Sequence, residues 1–153
     1  MKWITNIYSK GAYPADRLSN FCPHPFVFDG VPIASMEALL QSFKFPDPER
    51  QRQICQLSSQ EAKEVGSAQS WKGYLYWMSR AYPRKSAQYR RLLARAYREM
   101  AAQNPGFCQA LADSGPILVH TIGRSRRSKT CLTRWEFCLL LTRLRKQLRS
   151  HRQ

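Results

Sequence analysis

The sequence predicts a helix-rich α+β domain with a small, mainly antiparallel sheet. An Asp29-Gly30 pair set between aromatic and β-branched residues is the signature of a tight hairpin. Apolar residues recur at helical spacing near 36–43, 89–100 and 137–148. The chain has 153 residues, 43% hydrophobic and 23% charged, without an internal repeat or a low-complexity linker. That is enough for one hydrophobic core in ordinary globular composition, so residues 1–153 read as a single domain.

Residues 3–9 read as a short strand. In 25–33, Asp-Gly supplies the positive φ angles of a type I′ turn, while Pro25 and Pro32 cannot donate to a ladder, so the hairpin is expected at a sheet edge or very short. Ser35 is an N-cap for a helix reaching about residue 45, with Met36, Leu39, Leu40 and Phe43 as its core stripe. Asp47-Pro48-Glu49 opens another helix, since proline suits the first helical position. Ser58 and Glu61 form a capping box for the next, which Gly66 is expected to end. The aromatic stretch 71–82 is ambiguous, and Pro83 closes it. A long helix spans 86–103, burying Tyr89, Leu92, Leu93, Ala96, Tyr97 and Met100. Residues 107–113 add one or two turns, 117–122 read as a buried strand, and 123–129 as a basic loop. Thr133 and Glu136 form a second capping box, opening a last helix pinned by Phe137, Leu140, Leu141, Leu144 and Leu148.

The charge is unusual: 25 Lys+Arg against 10 Asp+Glu, net +15. Residues 1–79 carry eight basic and seven acidic side chains, whereas 80–153 carry seventeen and three, so the C-terminal half is strongly basic. Such asymmetry points to nucleic acid, a phosphorylated ligand or a membrane surface. No apolar run approaches the roughly 18–20 residues that span a bilayer, and the start lacks the pattern of a secretory signal, so no membrane association is expected. Five cysteines without a CxxC pair fit reduced thiols in a cytoplasmic protein. Neither cysteines nor histidines cluster at zinc-ligand spacing, so no metal is expected, and no obligate protein partner is evident.

Several groups can carry chemistry, and each also has a plain structural reading. Glu37, Gln41 and Lys44, at i, i+4 and i+7, form one polar ridge that either touches an elongated ligand or is simply solvated. In the 17–21 loop, with Arg17, Asn20 either orients a ribose or amide or satisfies local backbone, and Phe21 either stacks on a base or packs in the core. Trp71, Tyr74, Tyr76 and Trp77 make either a base-stacking wall or core. His120, after three apolar residues, is either a core histidine or a general acid. Arg91, Arg95 and Arg98 form a helical stripe that is either a solvated face or a phosphate contact, and Arg124, Arg126, Arg127 and Lys129 crowd one loop. With no recognisable base-reading motif, these arginines and Lys129 would contact phosphates, making binding salt-sensitive.

The segments Leu18-Ser19-Asn20-Phe21-Cys22-Pro23-His24-Pro25-Phe26, Phe28-Asp29-Gly30 and Glu37 to Phe45 (ExxxQxxKF) resemble the NADAR family of YbiA-like proteins. Glu61-Ala62-Lys63-Glu64-Val65-Gly66 and Gln103-Asn104-Pro105 resemble two further motifs of that family. The resemblance implies a YbiA-like α+β fold and hydrolysis of an N-glycosidic bond without a cofactor. It implies removal of ADP-ribose from ADP-ribosylated guanine in nucleic acid, or cleavage of ribosylaminopyrimidine phosphates of riboflavin metabolism. A non-catalytic nucleic-acid or ADP-ribose binding module is the third alternative. By the same resemblance Glu37 is the catalytic carboxylate, Lys44 a phosphate contact, and Asn20 and Phe21 ligand contacts. Arg17, Gln41, Trp71 and His120 complete the expected substrate contacts, and Arg91, Arg95, Arg124, Arg126, Arg127 and Lys129 the expected nucleic-acid contacts. Two features depart from the family pattern: residue 38 is alanine rather than histidine, and no carboxylate lies between Asp113 and Glu136, where relatives carry an acid near Trp-Gly.

Overall fold

In chain order the computed structural model runs β1 (Ile4–Asn6), α1 (Ala15–Leu18), β2 (Phe26–Phe28), β3 (Val31–Ile33), α2 (Met36–Ser42), α3 (Pro48–Cys55) and α4 (Ser59–Ser67). It continues through β4 (Tyr74–Trp77), β5 (Arg80–Pro83), α5 (Ala87–Gln103), α6 (Pro105–Asp113), β6 (Ile117–Val119) and α7 (Arg134–His151). Residues 3–151 are described. The helix-rich α+β class is as predicted. Its strands pair as three separate two-stranded ladders, the hairpins β2–β3 and β4–β5 antiparallel and β1–β6 parallel. Among the described residues, no helix is long and apolar enough to cross a membrane.

Local chemistry places most of these elements. Asp29 and Gly30 take φ of 48° and 77°, the left-handed pair a type I′ turn requires. Ser35, Asp47, Ser58 and Ser86 each accept a backbone N–H at a helix start. Thr133 and Glu136 form the reciprocal box, at 3.2 and 2.8 Å. The Ser58 box differs in detail, because the Glu61 carboxylate accepts from the Ser58 hydroxyl.

Three expectations are revised and one ambiguity is resolved. Gly66 does not end α4, which runs on through Ser67; the glycine is there because α4 lies against α2. The strand expected over 117–122 stops at Val119, and of its residues only Leu118 is buried. Residues 15–18 form a helical turn where the sequence suggests a loop. The ambiguous 71–82 stretch is a hairpin whose turn residues Met78 and Ser79 take φ of 46° and 72°. Neither residue type favours that geometry. The turn is held by the buried carboxamide of Gln51, which donates to Tyr76 O (2.7 Å) and Ser42 O (3.2 Å) and accepts from Met78 N (3.0 Å).

The buried face of α5 forms the centre of the core, with Phe43 edge-on to both Trp77 and Tyr89. A smaller cluster of Ala38, Ile54 and Ala62 locks α2 against α3 and α4. With Met36, Leu39 and Phe43 in the main core and Ala38 in the second, α2 is fixed on two sides. Its Glu37–Gln41–Lys44 edge is left facing a cavity.

Candidate functional site

That cavity has a volume of about 410 Å³, within the range of small-ligand sites. Glu37, Leu40, Gln41 and Lys44 of α2 form one side. Lys63 and Ser67 of α4, followed by Gln69 and Trp71, form the second. The third is the stretch after β6: His120, Ile122, Gly123 and Arg124, then 129–132, backed by Phe137 of α7. Asn20 closes it.

Glu37 is the one carboxylate among the described lining residues, and four cations line the same space: Lys44, Lys63, Arg124 and Lys129. Burial pushes the Glu37 carboxyl above its ordinary range; the Gln41 hydrogen bond and the charges of Lys63 and Lys44 pull in the opposite direction without cancelling it. Gln41 Nε2 donates to Glu37 Oε1 at 2.8 Å, and the Glu37 backbone N–H donates to Asn20 O at 3.1 Å. Lys44 Nζ donates to Gly66 O at 3.2 Å, tying the ridge to α4. Asn20 is set by Tyr97, whose buried hydroxyl donates to Oδ1 at 2.6 Å. The His120 ring lies edge-on to Phe137, and its Nδ1 bonds Ile7 O at 2.8 Å. A carbonyl only accepts, so Nδ1 carries the hydrogen and Nε2 is the nitrogen left for a ligand.

The third wall is anchored from behind. Arg84, only 3% exposed, forks onto the Glu136 carboxylate, and its Nε donates to Thr130 O at 2.9 Å. Tyr89 Oη donates to Cys131 O at 2.7 Å. Burial pushes the Cys131 thiol up to about 11, which makes it an apolar lining rather than a nucleophile. Gly123 admits close approach: a Cβ there would stand 2.4 Å from His120 Cδ2 and 2.8 Å from Arg134 Cβ.

Of the residues singled out from sequence, Glu37, Asn20, Gln41, Lys44, Trp71, His120, Arg124 and Lys129 line this cavity together. Phe21 does not line it; its half-buried ring lies under the Lys63 ammonium, 5.4 Å away. Arg17 sits outside, beside Asp16. Arg126 and Arg127 are exposed on the loop beyond the wall. Arg91 and Arg95 lie on the outer face of α5, and Arg95 is already committed, forking onto Asp29 over the Phe28 ring. Trp77 stacks on Phe28 in the core, so Trp71 is the aromatic that reaches the cavity from the 71–77 cluster. Sequence reasoning misses Lys63, Thr130 and Cys131. A mid-helix glycine is the available signal for Lys63, since docking α4 at Gly66 brings the preceding turn beside α2.

A profile of the family described as bacteriophage protein GP30.3 matches residues 12–146. Over 147 residues the chain is 37% identical to a protein of Enterobacteria phage T4, described as an uncharacterized 17.1 kDa protein in the Gp30–rIII intergenic region, covering 93% of this chain and 97% of that one. The NMR structure of the E. coli protein YbiA matches with a TM-score of 0.69 over 97% of this chain and 86% of that one, at 22% identity. The fold is thus the YbiA-like one implied by the LSNF, Asp-Gly and ExxxQxxKF motifs.

Proposed function

We propose that this protein, which belongs to the bacteriophage GP30.3 family, is an N-glycosidase that removes ADP-ribose from ADP-ribosylated guanine in nucleic acid. The observation that carries the reading is a single half-buried carboxylate, Glu37, in a nucleotide-sized cavity ringed by Lys44, Lys63, Arg124 and Lys129. The cations suit the diphosphate, Trp71 offers a face for a base, and Asn20 and Gln41 offer amides for ribose hydroxyls. As the bond between ribose C1 and the guanine nitrogen breaks, its electron pair leaves with the base and positive charge develops on the sugar. In this reading Glu37 stabilises that charge and takes a proton from the attacking water, whose oxygen ends on C1. A proton from solvent then restores the base nitrogen. A carboxyl held above its ordinary range is a stronger base for this step than an exposed one.

The test is incubation of the protein and of Glu37→Gln with DNA carrying ADP-ribosylated guanine, following release of ADP-ribose. Release by the unaltered protein alone is expected; equal release by both would remove Glu37 from the mechanism, and none by either would exclude this substrate. A second reading rests on the placement of four cations inside the cavity, which also suits a small ribosylaminopyrimidine phosphate. Turnover of such free nucleotides, with little dependence on salt, would favour it.

A further inference from the structure

The outer face of α5 carries a second concentration of charge that the cavity does not use. Arg80, Arg91 and Arg98, with Tyr82 and Gln88, line a concavity of about 480 Å³ between α5 and the β4–β5 hairpin. Arg90, Arg98 and Arg143 rim another, of about 240 Å³, between α5 and α7. Ala94 and Arg98 belong to both, so the two are continuous across α5. Arg80, Arg90, Arg91, Arg98 and Arg143 are exposed, and none has a carboxylate within ion-pair distance among the described residues. Of the acids that border the face, Asp29 is paired with Arg95 and Glu136 with Arg84, while Glu99 keeps its charge and accepts from the Gln103 amide. Five arginines against the one bordering charge of Glu99 repel one another, a cost that an anionic partner relieves.

We propose that this face binds the phosphate backbone of a nucleic-acid strand. All five cations are arginines, whose planar fork matches phosphate oxygens two at a time. Arg91 and Arg98 are seven residues apart, about 10 Å along the helix, which matches about three rises of ~3.4 Å along a duplex axis. Leu93 and Leu144 are buried beneath the arginines, and of the apolar residues there Leu139 is the exposed one. The face is distinct from the cavity. Tyr97 lines the α5–α7 concavity while sending its hydroxyl to Asn20, and Phe137 lines the cavity from α7, so the α5–α7 layer separates the two. Strand binding here needs neither a modified base nor turnover, and it does not rest on the glycosidase reading.

The experiment is fluorescence anisotropy with unmodified labelled single-stranded and duplex oligonucleotides over a range of salt. The unaltered protein is compared with R91Q/R98Q/R143Q, with the single variant R91Q, and with the loop variant R126Q/R127Q, each checked by thermal melting. The triple variant should bind at least tenfold more weakly, with a log–log salt slope shallower by about 0.7–0.9 for each phosphate that it no longer neutralises. R91Q should show the same change on a smaller scale, which covers the case of a poorly folded triple variant. The idea is overturned if R91Q and a folded triple variant keep the original affinity and slope, or if the unaltered protein binds neither oligonucleotide. It also falls if the loop variant alone abolishes binding, or if an acidic peptide or phosphatidylserine vesicles displace the oligonucleotide at equal charge concentration.

Discussion

Gly66 packs directly against Gln41: a Cβ on Gly66 would stand 1.8 Å from Gln41 Oε1 and 2.6 Å from its Cδ. Glycine inside a helix normally costs ~1 kcal/mol relative to alanine, so Gly66→Ala would ordinarily stabilise α4. Here the carboxamide of Gln41 must swing away, and its hydrogen bond to Glu37 goes with it. A bond to a charged group contributes roughly 1.5–3 kcal/mol, more than the helix gains. Gly66→Ala should therefore lower stability by about 1 kcal/mol and reduce turnover by about tenfold. Urea denaturation beside a release assay measures both, and a variant that is more stable and fully active would contradict the packing argument.

Burial raises the Glu37 carboxyl above its ordinary range, and this has two opposite consequences. As a general base it works only when ionised, so turnover should fall on the acid side of a half-maximum lying above the usual carboxylate range. Glu37→Gln should remove that limb and cost roughly 10²–10⁴-fold in rate. For stability the sign reverses. Because the folded protein holds this proton more tightly than the unfolded chain, the contribution is complete below the unfolded value and is lost as pH rises through the folded one. Glu37→Gln should thus melt higher than the unaltered protein at neutral pH, with the advantage vanishing at low pH. Paired melting curves across pH decide it; a constant difference would mean that Glu37 titrates normally.

Arg84 and Glu136 hold the far wall. Burial alone would push the Glu136 carboxyl up, but the Arg84 fork and the Thr133 N–H bring it below its ordinary value. The stability it contributes is therefore present above the unfolded carboxylate range and is lost as pH falls through the lower folded value. Arg84→Met leaves that carboxylate without its partner and Thr130 O without its donor, and should cost about 3–5 kcal/mol. Denaturant unfolding at neutral pH gives the number. A loss under ~1 kcal/mol would show that the pair behaves like an exposed one.

How far the sequence reveals this arrangement depends on the range of the interaction involved. The Asp29-Gly30 turn and the caps at Ser35, Asp47, Ser58, Ser86 and Thr133 are decided within four residues, so all are legible. The Glu37–Gln41–Lys44 ridge is legible as a helical period, and motif resemblance, not periodicity, marks it as functional. The Met78-Ser79 turn is not legible, because Gln51, 27 residues away, imposes it. Nor are Thr130 and Cys131, which reach the cavity through bonds from Arg84 and Tyr89, 46 and 42 residues earlier. Arg95 reads as a free cation in sequence; its pairing with Asp29 follows only once the β2–β3 hairpin lies against α5.

Asn20 offers a way to separate ligand positioning from chemistry. Its Oδ1 accepts from Tyr97 Oη at 2.6 Å, which orients the amide in the cavity lining while Glu37 stays on another element. Tyr97→Phe removes the hydroxyl and keeps the ring against Phe137, so the core loses little volume. The amide is then free to rotate, and the unfolding free energy should drop by about 1 kcal/mol. Because Glu37 is untouched, KM for the ribosyl substrate should rise several-fold while kcat changes by less than about threefold. Asn20→Ala should show the same split, and the double variant should add little to either single one, since both substitutions remove one interaction. Steady-state kinetics on the three variants make the test. Equal losses in kcat would instead place Asn20 in the transition state, beside the carboxylate.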